Sequence, residues 1–175
     1  MDLDVVRGDI TAAQVDAVVN AANSALTGGG GVDAAIHRAA GPIMDTECRA
    51  LRQTEQYRGG LPTGQAVATS GGQMAARWVI HTVGPIYGGP EPRRVAVQQE
   101  QLRACYVSCL AVADQLGASS IAFPLISAGA YGWPRRDAIE QALGALCGAD
   151  SQVEKATLVL FDDKSYQLAR HLLRD

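Results

Sequence analysis

The stretch Val18-Val19-Asn20-Ala21-Ala22-Asn23, followed by Gly28-Gly29-Gly30-Gly31-Val32-Asp33, decides the fold of this chain. A short apolar run ends in two asparagines, four consecutive glycines follow, and an acid opens a helical pattern through Ala34, Ala35, Ile36 and His37. Ordering four adjacent glycines is entropically costly, so the run predicts backbone at positive φ lying close against a ligand. A helix beginning directly after such a loop offers free N–H groups and a positive dipole end, which favour a phosphate. The loop has neither the lysine of an NTP-hydrolysing P-loop nor the GxGxxG spacing. It carries instead an asparagine and an aspartate ten positions apart, Asn23 and Asp33. An acid beside a phosphate is electrostatically unfavourable, and Asp33 therefore points to chemistry rather than to phosphate capture alone.

A second segment repeats this logic. Ile121 to Ile126 reads as a buried strand, and Ser127-Ala128-Gly129-Ala130-Tyr131-Gly132-Trp133-Pro134 follows it before a helix predicted from Arg135. Two such loops at one sheet edge can grip a pyrophosphate from both sides. Strand-like runs fall at 3–6, 17–19, 66–69, 78–82, 120–124 and 157–161, and helical patterns at 32–40, 43–53, 93–116, 135–147 and 164–174. Within the longest helix Val97, Leu102, Cys105, Val107, Cys109, Leu110, Val112 and Leu116 supply an apolar face. Gly117 is placed to end it, and Pro134 to begin the next. Alternating strands and helices predict a layered α/β domain whose ligands bind beyond the carboxyl ends of the strands. The segments 59–64 and 87–92 read as surface loops.

Composition sets the outer limits. The 175 residues suit one domain, with 47% hydrophobic residues and only 19% charged ones. A net charge of −3 argues against a nucleic-acid binder held by phosphate neutralisation, while leaving room for one nucleotide on backbone amides. No apolar run approaches a membrane span, and Met1-Asp2-Leu3-Asp4 lacks the features of a signal peptide, so a cytoplasmic protein is expected. Cys48, Cys105, Cys109 and Cys147 have no histidine at zinc-finger spacing and are expected as buried free thiols.

Taken together, Gly8-Asp9-Ile10-Thr11, Val19 to Asn23, Gly28 to Asp33, Val79-Ile80-His81-Thr82-Val83-Gly84-Pro85, Pro124 to Pro134 and Leu160-Phe161-Asp162-Asp163 resemble the macrodomain family of ADP-ribose-binding modules. Asn23 followed by Gly30-Gly31-Val32-Asp33 resembles its MacroD-type hydrolase branch. The resemblance implies a three-layer α/β/α macrodomain spanning 1–175, with a mixed, mostly parallel central sheet. It also implies a hydrolase that removes ADP-ribose from mono-ADP-ribosylated acidic side chains and deacetylates O-acetyl-ADP-ribose, without metal or other cofactor. The partners implied are ADP-ribose, its esters and mono-ADP-ribosylated proteins, with no nucleic acid and no membrane.

By the same resemblance Asp9 accepts from the adenine amino group beside the Ile10 amide, and Phe161 packs on the adenine with Asp162 close by. Gly30, Gly31 and Val32, with the amides of Ser127, Ala128, Gly129, Ala130 and Tyr131, wrap the diphosphate, and Tyr131 packs on the distal ribose. Asn23 binds a distal-ribose hydroxyl, and Asp33 orients or activates water. Asn20 is expected to stabilise the loop rather than to touch ligand. His37 shares a helical face with Asp33, but packing or a carbonyl hydrogen bond is its expected role. His81 and His171 are assigned no chemistry. Ala130 stands where the family has a branched aliphatic residue, which bears on rate and leaving group more than on binding. A module that reads ADP-ribose without turning it over is the alternative, and Asp33 with Asn23 argues against it.

Overall fold

The computed structural model describes residues 1–174. Strands are β1 (Asp2–Arg7), β2 (Ala17–Ala21), β3 (Ala66–Ser70), β4 (Trp78–Thr82), β5 (Ser120–Phe123) and β6 (Lys155–Leu160). Helices are α1 (Gly31–Ala40), α2 (Pro42–Gln53), α3 (Pro92–Leu116), α4 (Arg135–Cys147) and α5 (Asp163–Leu172), with a single 3-10 turn over Ile10–Ala12. They form one six-stranded sheet in the order β1-β6-β5-β2-β4-β3. Every neighbouring pair is parallel except β3 with β4. The fold is thus the α/β/α arrangement with the mixed sheet that the sequence led us to expect.

Alternation along the strands sorts the core into two layers. Val19, Ile80, Ile121, Phe123, Leu158 and Leu160 point to the face covered by α3, α4 and α5, where Leu102, Tyr106, Ile139 and Leu146 complete the packing. Their neighbours Val18, Val79, Ala122 and Val159 point the other way, onto Ile36, Ala40, Met44 and Cys48 of α1 and α2. A parallel sheet covered on both faces needs such strands, apolar on both sides.

Helix ends follow local chemistry. Glu91 caps α3 by accepting from the amides of Arg93 and Arg94, Pro92 takes its first turn, and Gly117 closes it in the left-handed region at φ 70°. Gly41, at φ 83°, both ends α1 and precedes Pro42 of α2, so α2 folds back beside α1 with only one residue between them.

Three expectations need correction. Helix α1 starts at Gly31 rather than Val32, with Gly30 as its N-cap. Val97 and Val107 are 58% and 51% exposed and lie off the apolar face of α3. Cys147 is exposed, whereas Cys48, Cys105 and Cys109 are buried, and all four are free thiols. The 87–92 segment is a surface loop as expected, and it is tied to its surroundings: Gln98 Nε2 donates to the Ile86 carbonyl at 2.6 Å, and the ring of Tyr87 meets Trp133 edge-on.

Candidate functional site

Strands β1, β6, β5 and β2 are adjacent and parallel, so their carboxyl ends share one edge of the sheet. That edge carries, in order, Asp9, Phe161, the 127–134 loop and the Asn23–Gly31 loop. The two glycine-bearing loops, about a hundred residues apart in sequence, therefore rise side by side.

At the β1–β6 end, the Gly8 amide donates to the Leu160 carbonyl at 3.0 Å and ties the exits of the two strands together. Asp9 Oδ1 accepts from the amide of Thr11 at 2.9 Å and from its hydroxyl at 2.7 Å, which holds the carboxyl below its ordinary pKa. Asp9 is thus a cap for the turn that buries Ile10. Phe161 is 85% exposed and takes no part in the core. Asp162 caps α5 by accepting from the Ser165 amide at 2.8 Å.

The second loop is built around Ser127, whose φ of 66° is unusual for a residue bearing a side chain. The Trp133 amide donates to the Ser127 carbonyl at 3.0 Å, and the Tyr87 amide donates to the Tyr131 carbonyl at 2.8 Å. Trp133 is in turn anchored by its indole N–H on Asp137 Oδ2 at 2.9 Å. The Ser127 hydroxyl is buried without a partner among the described residues. Gly129 and Ala130 are exposed, and Ala128 and Tyr131 half-buried, so this stretch of backbone faces solvent at the sheet edge.

In the first loop the Asn23 side chain organises its own turn, accepting from the Thr27 amide at 3.2 Å and donating to the Gly28 carbonyl at 3.1 Å. Only two of the four glycines take positive φ, Gly28 at 76° and Gly31 at 59°. Gly29 lies against the site: a Cβ there would meet Asp33 Oδ2 at 3.4 Å and Asn23 Nδ2 at 3.8 Å, both ordinary contact distances. The first turn of α1, including Val32, has no side-chain cap. Its N–H groups are those a bound anion satisfies.

Asp33 sits in this first turn and is only 5% exposed. Asn20 Nδ2 donates to its Oδ1 at 2.8 Å, and His37 Nε2 lies 3.2 Å from the same oxygen. Burial pushes the Asp33 carboxyl above its ordinary pKa, against the opposing pull of Asn20 and His37. The other oxygen, Oδ2, faces Gly29. The carboxyl is therefore gripped on one edge and presented on the other.

Behind it runs a polar chain. Asn20, fully buried, also donates from Nδ2 to His81 Nδ1 at 3.1 Å, and His81 Nε2 meets Thr69 Oγ1 at 2.8 Å. Since Nδ1 accepts, Nε2 carries the proton and donates to Thr69. Complete burial holds His81 far below the usual histidine value, at a pKa of about 3, so the ring is neutral. His37 overturns its expected role: rather than packing or bonding a carbonyl, it lies between Asp33 and Asp45, with Nδ1 2.7 Å from Asp45 Oδ1. Sequence reasoning missed Asp45 and Thr69 altogether, and gave His81 no role. Among the described residues no group of three or more His, Cys, Asp or Glu is placed to hold a metal ion. No helix among them is long and apolar enough to cross a membrane.

This arrangement has close counterparts. The Macro domain family matches residues 19–142. The chain belongs to the Macro domain family. A macro domain-containing protein encoded in the sno 5' region of Streptomyces nogalater is 49% identical to this macrodomain over 171 residues, covering 97% of this chain and 91% of that protein. An O-acetyl-ADP-ribose deacetylase of Salmonella typhimurium is 44% identical over 174 residues, 98% of this chain and 93% of the enzyme. Among solved structures, a mutant of the Oceanobacillus iheyensis macrodomain with ADPR superposes with a TM-score of 0.91 at 40% identity, covering 98% of this chain and 91% of the other.

Proposed function

We propose that this macrodomain binds ADP-ribose and hydrolyses its esters, releasing acetate from O-acetyl-ADP-ribose and ADP-ribose from acidic side chains of modified proteins. The observation that carries the reading is the placement of Asp33: a buried carboxyl with a raised pKa, one oxygen anchored and the other directed at the glycine loop. A module that only reads a diphosphate gains nothing from an acid there.

In this reading the adenine lies between Asp9 with the Ile10 amide and the exposed ring of Phe161. The diphosphate crosses to the amides of residues 127–131 and the uncapped start of α1 at Gly30, Gly31 and Val32. The distal ribose reaches Asn23 and Tyr131. Asp33 Oδ2 takes a proton from water as the water oxygen bonds to the ester carbonyl carbon; the carbonyl–ribose bond then breaks as Asp33 returns that proton to the ribose oxygen, giving a carboxylic acid and the ribose hydroxyl. Loop amides stabilise the charge that develops on the way. The relative named O-acetyl-ADP-ribose deacetylase, at 44% identity, supports this reaction class. The neighbour with ADPR, at a TM-score of 0.91, supports the ligand.

The test compares wild type with Asp33→Ala on a glutamate-linked mono-ADP-ribosylated protein and on O-acetyl-ADP-ribose, with calorimetric titration of both proteins by ADP-ribose. Turnover by wild type, and binding without turnover by the variant, is the expected result. Wild type that binds ADP-ribose yet leaves both esters intact is a reader, and the hydrolytic proposal then fails.

A further inference from the structure

We propose that Asp45 is a positioning residue for Asp33: by fixing the His37 imidazole through Nδ1, it keeps Nε2 against Asp33 Oδ1 and leaves Oδ2 as the base. The proposal rests on the hydrolytic reading above only for its link to turnover.

The argument is geometric. His37 has a carboxylate oxygen on each ring nitrogen, Asp45 Oδ1 at 2.7 Å on Nδ1 and Asp33 Oδ1 at 3.2 Å on Nε2. The Nδ1 contact with Asp45 is a hydrogen bond and fixes the plane of the ring, and that plane sets where Nε2 stands against Asp33 Oδ1. The side chain of His37 is 11% exposed and that of Asp45 51%, so the second acid sits at the water-facing end of the chain. Gly28 passes over one face of the ring, at a distance where an added Cβ would just touch His37 Cγ at 3.5 Å. Asp45 reaches this position only because the positive-φ turn at Gly41 folds α2 back on α1.

The titratable groups facing His37 are Asp33 on its own helix, Asp45 and Cys48 on α2, and His81 on β4, whose ring centroid is 6.3 Å away. His81 is neutral and Cys48 is pushed up to about 11, so neither supplies the charge that Asp45 does. A first-turn acid on α2 also complements the helix dipole. That role alone would move stability but leave His37 and Asp33 unaltered.

The experiment follows wild type, Asp45→Asn and Asp45→Glu by kinetics, by calorimetry with ADP-ribose, and by nitrogen-15 and carboxyl carbon-13 NMR of His37 and Asp33. In Asp45→Asn we expect kcat to fall about tenfold, the acid limb of its pH profile and the Asp33 titration both to move up by about one unit, and KM to hold within about twofold. Asp45→Glu is expected to recover most of the loss. An unchanged Asp33 titration in Asp45→Asn overturns the proposal, as does a loss confined to KM or to melting temperature. If wild type fails to cleave either ester, the hydrolytic reading falls, while the NMR titration still decides the influence of Asp45 on Asp33.

Discussion

Asn20 holds Asp33 from behind: its Nδ2, fully buried on β2, donates at 2.8 Å to the carboxyl oxygen that faces away from the glycine loop. The sheet interior and the reactive edge are joined by this one amide, which also reaches His81. Site chemistry and core stability are consequently coupled, and several substitutions separate them.

Asp33→Asn is expected to be more stable than wild type at neutral pH. The folded state raises the Asp33 pKa, so it holds the proton more tightly than the unfolded chain, and wild type loses stability as pH rises through the window above the ordinary carboxylate value. Asparagine has no charge to bury. Melting curves at about pH 4 and about pH 7.5 check this, and the gain should appear mainly at the higher value.

His81 acts in the opposite direction. Its pKa is lowered from 6.5 to about 3, so the unfolded chain binds a proton that the folded one refuses. Its contribution is fully present above 6.5 and is lost as pH falls toward 3, at up to about 1.4 kcal/mol per pH unit. Urea denaturation of wild type and His81→Gln between these limits should show a shallower acid decline in the variant.

Gly84→Ala should displace the second loop. A Cβ at Gly84 would fall 2.1 Å from Ser127 Oγ and 2.6 Å from Ile126 Cγ2, neither of which is a flexible tip. A stability cost of about 1–3 kcal/mol is expected, with weaker binding of ADP-ribose by calorimetry.

Arg52 clamps the first loop from the end of α2, donating to the carbonyls of Ala25 at 2.9 Å, Tyr57 at 2.9 Å and Arg58 at 3.1 Å. Arg52→Ala should cost about 1–3 kcal/mol in chemical denaturation and speed amide exchange between residues 23 and 31.

Phe161→Ala should leave stability nearly unchanged, because the ring is 85% exposed. If it lines the adenine, affinity for ADP-ribose drops by about 1 kcal/mol, roughly fivefold or more.

Much of this was legible in the sequence, for identifiable reasons. Asn20, Asn23 and Asp33 announce themselves because polar residues directly after an apolar strand, beside glycines, have few structural uses. The antiparallel pairing of β3 with β4 follows from a connection of only residues 71–77, too short for a parallel crossover. Val97 and Val107 misled because each lies five residues from Leu102, about 140° around the helix, where an apolar side chain has no sheet to meet. Phe161 was ambiguous because periodicity ends with the strand and says nothing of what lies beyond it. Asp45 carried no signal at all: its meeting with His37 depends on a backbone angle at Gly41, and no spacing rule spans that turn.

Strand β6 lies between β1 and β5, pairing residues 2–7 on one side and 120–123 on the other. The edge strand β1 thus has no partner in the sheet until residues 155–160 have been made. A nascent chain ending before residue 155 can pair β2 with β4 and β5, yet Asp9 has no fixed place opposite Phe161. In the proposed reading the purine end is therefore assembled only once residues 155–161 are in place, and a product truncated before them should not bind adenine.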